Sequence, residues 1–228
     1  MRKIIATGCS SSPLPELPPT PQPTVLQPIP TTPSSHPSSI PQASKGGAEL
    51  ILSVAVKGRG PKTGYSRSAF GSAWADVDGN HCDTRNDILK RDLVNITYRS
   101  SGNSCIIQTG VLNDPYTGNI IQFARGVKTS SEVQIDHLFP LSLSWQQGAA
   151  AWSAEKRVAF ANDPENLRAV QGLANSQKSD SGPGSWLPGN VSYRCTYLTD
   201  FVKVTLKYNL SMNPGDFNAA KKILETCP

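Results

Sequence analysis

The stretch Val133-Gln134-Ile135-Asp136-His137-Leu138-Phe139-Pro140-Leu141 decides how this chain is read. Apolar and polar residues alternate through it, as in a short strand, and the pattern stops at a proline. Just before the proline an acid and an imidazole stand side by side. Adjacent strand residues point to opposite faces. Asp136 and His137 therefore share a site only where the strand ends or bends, and Pro140 is the place for that. Downstream, Asp163-Pro164-Glu165-Asn166-Leu167-Arg168-Ala169-Val170 reads as a turn entering a second strand, and Leu173-Ala174-Asn175-Ser176-Gln177-Lys178-Ser179-Asp180 as a short helix. A carboxylate, a histidine and two asparagines on this strand–loop–strand–helix frame can hold one hard divalent cation and activate a water beside it.

These residues carry a resemblance. Asp136-His137, then Asn166, then Asn175 with Lys178 resembles the HNH (His-Me finger, ββα-metal) nuclease motif. The chain is most similar to secreted bacterial HNH endonucleases related to the C-terminal domain of the GmrSD restriction enzymes. Further segments share the likeness: Cys82-Asp83-Thr84-Arg85-Asn86-Asp87, Asp114-Pro115-Tyr116-Thr117-Gly118, Phe160-Ala161-Asn162-Asp163, Trp186-Leu187-Pro188 and Tyr193-Arg194-Cys195. A bare Asp-His pair is weak evidence, but several segments in order are strong.

The resemblance implies an α+β fold, with a ββα-metal core embellished by additional helices and a small antiparallel sheet. It implies an endonuclease that cuts DNA or RNA with little sequence specificity. His137 takes the part of general base, and Asn166 fixes the imidazole from across the loop. Asp136 and Asn175 are the ligands of one divalent ion, Mg²⁺ or Mn²⁺; many relatives carry a histidine at the Asn175 position, which suits softer ions. Lys178, Arg85 and Arg125 are candidate phosphate contacts. Each residue also has a bland reading: a capped turn for Asp136-His137 and Asn166, a local cap for Asn175, a solvated charge for Lys178, an ion pair with Asp83 or Asp87 for Arg85. Trp145, Trp152 and Trp186 fit the core better than a base-stacking surface. His81 and His36 read as loop and spacer histidines.

Residues 10–44 hold Glu16 as their only acid and no Lys or Arg, and Pro, Ser and Thr dominate them. The expected organisation is a signal-like segment over 1–9, a disordered Pro/Ser/Thr-rich linker over 10–48 and a nuclease domain over 49–228. The chain has 228 residues, a net charge of +5 and a pI of about 9.0. Arg2, Lys3, Lys45 and Glu16 fall outside the domain, which leaves it a mild basic excess of about +3, compatible with a polyanionic substrate.

There are five cysteines, none in C-x-x-C spacing, so a structural zinc site is not expected. Cys82, Cys105, Cys195 and Cys227 allow three disulfide pairings, and sequence neighbourhood favours Cys82–Cys105 and Cys195–Cys227. Buried free thiols are the alternative. Cys9 follows Arg2-Lys3, Ile4-Ile5-Ala6 and Thr7-Gly8 in the manner of a bacterial lipoprotein signal, with Cys9 lipidated and residues 10–44 as tether. That apolar run is far shorter than the roughly 7–15 residues a signal needs. Either translation starts upstream or Cys9 is an incidental thiol. The expected location is extracytoplasmic, secreted or membrane-anchored through Cys9, as a monomer with a nucleic-acid substrate and no protein partner. Two rivals stand beside this reading: a fold-retaining binding module without catalysis, and a hydrolase of another phosphoester.

Elsewhere, residues 49–57 read as strand or helix. Asp83 caps a helix carrying Ile88, Leu89 and Leu93. Two strands flank the turn 113–118. Ser153 caps a helix ending at Asn162, Leu198 to Leu206 form a helical stripe, and a last helix follows Asn213-Pro214 with Phe217, Ala220, Ile223 and Leu224 inward.

Overall fold

Among the described residues, side-chain caps set the starts of three of the seven α-helices, and three small sheets connect the helices. The structure, a computed structural model, describes residues 46–99 and 105–228. The signal-like segment, the linker through Lys45 and Cys9 all lie outside the described residues. In chain order come α1 (Gly47–Leu50), β1 (Ala55–Val56), α2 (Thr84–Asp92), β2 (Leu93–Tyr98), β3 (Ile107–Asn113), β4 (Ile120–Ala124), β5 (Val133–His137), α3 (Leu141–Gln146), α4 (Ala154–Ala161), β6 (Leu167–Gln171), α5 (Gly172–Lys178), α6 (Arg194–Lys207), β7 (Ser211–Met212) and α7 (Pro214–Leu224). The fold is α+β: β2-β3-β4 and β5-β6 are antiparallel, and β1 pairs with β7 in parallel.

Asp83, Ser153 and Asn213 each accept a backbone N–H two or three residues into their helix, satisfying a donor that the first turn leaves free. Leu93 departs from expectation. It has extended dihedrals, and it opens β2 opposite Leu112 instead of closing α2. Val94, Ile96 and Thr97 follow it, and β-branched side chains favour the pleated surface. Pro140 does end the strand pattern, but Leu141 starts a helix at once, because its fixed φ sits well just before a helix. In α7, Ala220 and Leu224 are buried, while Phe217 and Ile223 are partly covered.

Two apolar clusters result. The larger packs α6 and α7 against α3 and α4, with Phe139 stacked on Phe201, Tyr197 tilted against Phe201 and Phe160 edge-to-face with Tyr208; Trp145, Trp152 and Trp186 pack at its margin. The smaller joins Ile88 and Leu89 of α2 to the three-stranded sheet and to Val133, Ile135, Leu167 and Ala169 of the β5–β6 hairpin. That hairpin is thus held from one side by a sheet and from the other by helices. Disulfides Cys82–Cys105 and Cys195–Cys227 tie the start of α2 toward β3 and the start of α6 to the chain end, with Cα separations of 5.2 and 5.7 Å. No helix among the described residues is long and apolar enough to cross a membrane.

Candidate active site

The site grows from the β5–β6 hairpin and the helix that follows it. Asp136 lies opposite Arg168 and His137 opposite Leu167, so both sit at the last rungs of the ladder. Beyond it, Asn166 takes over the pairing. Its carbonyl accepts from Leu138 N (2.8 Å), its Oδ1 accepts from Phe139 N (2.8 Å), and its Nδ2 donates to Phe139 O (3.3 Å). Asn166 is completely buried, so it fixes the exit of β5 without facing solvent. The chain then turns from β6 into α5 at Gly172. A Cβ there would collide with Ser131 O, so only glycine lets α5 approach the hairpin this closely.

α5 brings Asn175 and Lys178 toward β5. Asn175 Nδ2 donates to Gln134 Oε1 at 2.8 Å, which fixes the amide and leaves Oδ1 as its acceptor end. Asp136, His137 and Asn175 line one polar cavity of about 450 Å³, together with Lys62, Tyr65, Arg67, Ser142 and Asp180. Asp180 accepts from both Lys62 Nζ and Ser142 Oγ at 3.0 Å, closing the cavity rim.

Lys178 has a different place from the one expected. It is fully buried, donates to Asp136 Oδ1 (3.0 Å) and His137 O (2.8 Å), and does not line the cavity. The short helix packs its 178 position inward, where the ammonium balances the buried Asp136 carboxylate. Tyr116 completes this arrangement, donating its OH to Asp136 Oδ2 at 2.5 Å. The turn that carries Tyr116 is built by Asp114, whose Oδ2 accepts from Thr117 and whose Oδ1 accepts from Gln171 N at the end of β6. Burial raises the Asp136 carboxyl above its ordinary range, with Lys178 and Tyr116 offsetting part of the effect. Burial likewise lowers the Lys178 ammonium and raises the Tyr116 phenol.

His137 points elsewhere. Its Nε2 lies 2.8 Å from Ala161 O. A carbonyl can only accept, so Nε2 carries the proton and Nδ1 keeps the lone pair. Burial pushes the imidazole down to about 3, and Arg67 and Lys178 push the same way, so the ring is neutral near pH 7. The Trp74 indole is nearly parallel to it, with centroids 6.2 Å apart and planes 13° apart. His137 also borders a second, mainly apolar cavity of about 250 Å³, lined by Arg67, Phe70, Trp74, Leu141 and Ala161 among others.

Arg85 and Arg125 lie away from both cavities. Arg85 donates to Val133 O (3.2 Å), and Arg125 to Ile107 O and Asn86 Oδ1 (both 2.7 Å), so their guanidinium groups brace the smaller core. His81 sits in an exposed turn with φ 66°. Tyr116, Arg67 and Trp74 were not expected at the site. Tyr116 lies in a turn segment that carried the family likeness, and that likeness was the signal that could have marked it. Arg67 and Trp74 sit in a Gly- and Ser-rich stretch without periodicity, which offers no comparable signal.

Comparison with known proteins decides the family. The family model described as GmrSD restriction endonucleases, C-terminal domain, matches residues 83–212, more than half of the chain and all of the β5–β6–α5 unit. The chain belongs to the GmrSD C-terminal domain family. It is 38% identical over 202 residues to an uncharacterized secreted protein of Arthroderma benhamiae, covering 88% of this chain and 91% of that protein. That relative is fungal, whereas the sequence resemblance pointed to bacterial proteins. No solved structure matches the chain. Arg67 and Trp74 precede the matched residues, so the two cavities join GmrSD-type residues to a segment outside the family match.

Proposed function

We propose that this GmrSD-family domain is a metal-dependent HNH-type endonuclease that hydrolyses phosphodiester bonds in DNA or RNA. The observation that carries the reading is the meeting of Asp136, His137 and Asn175 at one polar cavity on an antiparallel hairpin and its following helix. In this reading β5, β6 and α5 are the ββα-metal core.

The donor set fits one hard divalent ion. Asp136 and Asn175 offer a carboxylate and an amide oxygen, the sparse set typical of an ion that keeps several waters and binds substrate phosphate, such as Mg²⁺ or Mn²⁺. Among the described residues no group of three or more His, Cys, Asp or Glu is placed to hold a metal, so an ion here would depend on Asp136, Asn175 and water. When bound, the ion supplies positive charge to the scissile phosphate and the leaving oxygen. The chain's own residues do the rest. His137 Nδ1 takes the proton of the attacking water, while Ala161 O holds the ring tautomer through Nε2. Asn166 holds the β5 exit, and hence the imidazole, in place. Lys178 and Tyr116 orient the Asp136 carboxylate.

The two disulfides, and the secreted relative, support action outside the cytoplasm. Anchoring through Cys9 remains a separate proposal, read from the amino-terminal sequence alone. Incubating the purified, oxidised full chain with plasmid DNA and with RNA, with Mg²⁺ and with excess EDTA, tests the reading. Cleavage of at least one polymer that EDTA abolishes is expected. No cleavage of either with Mg²⁺ or Mn²⁺ would leave a binding module as the better account.

A further inference from the structure

Two cavities of opposite character meet at His137. The first is polar and holds Asp136, Asn175 and Arg67; the second is mainly apolar and is walled by Trp74, Phe70 and Leu141. His137, Arg67 and Leu141 border both. Of the cations that line the polar cavity, Lys62 is paired with Asp180, and Lys178, buried behind the cavity, is paired with Asp136. Arg67 is exposed and makes no ion pair or side-chain hydrogen bond among the described residues. It is the cation available for an anionic ligand, and a guanidinium suits phosphate oxygens.

A nucleotide has the same two-part character, a phosphate beside a flat apolar ring. Resting on the nuclease reading, we infer that the paired cavities bind one unpaired nucleotide, its phosphate against Arg67 and its base in the apolar cavity against Trp74. A base that enters this cavity has left its stack and its pairing partner. Unpairing costs a few kcal/mol in a duplex and much less in a single strand. The preferred substrate class is therefore single-stranded nucleic acid, or unpaired positions within a duplex. Arg67 and Trp74 precede the residues that match the GmrSD family, so this preference belongs to the segment before α2 and not to the shared core. Trp74 adopts φ 60°, a conformation most residues avoid, which is consistent with a side chain placed for contact rather than for backbone ease.

The test uses the oxidised full chain and fluorescein-labelled oligonucleotides, with binding read by anisotropy in EDTA and cleavage read with Mg²⁺. Three probes serve: single-stranded DNA, single-stranded RNA and duplex DNA. Wild type should bind and cut a single strand better than the duplex. Trp74→Ala should weaken single-strand binding about tenfold, since stacking of one base is worth roughly 1–3 kcal/mol. Trp74→Phe should restore most of that loss. Arg67→Ala should reduce the slope of log K against log salt by about 0.7 on single strands, the loss of one phosphate contact, and Arg67→Lys should keep it. Circular dichroism and thermal melting confirm that each variant is folded. A wild type that cuts nucleic acid but prefers duplex, or folded Trp74→Ala and Arg67→Ala variants with unchanged affinity and slope, overturns this inference alone. A wild type that neither binds nor cuts any of the probes overturns it together with the nuclease reading.

Discussion

The Lys178 ammonium lies 2.9 Å from the Asp136 carboxylate, and both groups are shielded from solvent. The pair joins α5 to β5 through its charges, while Tyr116 adds a hydrogen bond from the β3–β4 turn. Three separate chain segments thus meet on one carboxylate. The acid that the nuclease reading assigns to a metal ion is held in position before any ion arrives.

Breaking that pair should be costly. Lys178→Met leaves a buried, uncompensated carboxylate and should lower stability by about 3–5 kcal/mol. Adding Mg²⁺ or Mn²⁺ should then recover more stability than it does for wild type, because the ion replaces the missing charge. Denaturant melts with and without the ion check both parts. An unchanged midpoint would mean that the pair contributes no net stability.

The buried His137 imidazole should leave a signature in acid. Its pKa falls from the ordinary 6.5 to about 3 in the folded chain. Between these values the unfolded chain binds more protons, so stability is present above about pH 6.5 and is lost as pH falls toward about 3. Asp136 is shifted upward and acts in the opposite sense. Comparing wild type with His137→Asn isolates the imidazole. The variant should show a shallower fall in melting temperature from pH 6.5 to pH 4, and parallel curves would contradict the shift.

The α+β class, the hairpin, α5, three helix caps and both disulfide pairings were legible in the sequence because each rests on local chemistry. Alternation marks β5, Asp83, Ser153 and Asn213 mark helix starts, and cysteine spacing marks the bridges. Asp136, His137 and Asn175 were legible as a set because the motif's order marks them, an adjacent acid and histidine followed by an asparagine on the next helix. What was not legible depends on contacts between distant segments. Lys178 looks like a surface charge until α5 is docked, and Tyr116 looks like a turn residue until Asp114 ties its turn to β6. Leu93 follows a helical spacing, yet pairing with Leu112 overrides it. Arg67 reaches the cavity from a single 3-10 turn, Arg67–Phe70, too short to leave a period to read.

The disulfides should carry much of the stability. They span 23 and 32 residues, and closing loops of that size in the unfolded chain is worth about 3–4 kcal/mol each. Dithiothreitol should lower the melting temperature sharply. Peptide mass spectrometry without reduction should link Cys82 to Cys105 and Cys195 to Cys227. Four titratable thiols in active, natively exported protein would contradict both bridges and the extracytoplasmic assignment.

His137 is the residue on which the proposed chemistry turns, and its replacement gives the most direct measurement. The rate of plasmid or RNA cleavage in saturating Mg²⁺ is compared between wild type and His137→Ala, with folding matched by circular dichroism and ion binding by calorimetry. The general-base role predicts a fall of about 10²–10⁴-fold with ion binding retained. A folded His137→Ala variant that cleaves at nearly the wild-type rate would contradict it.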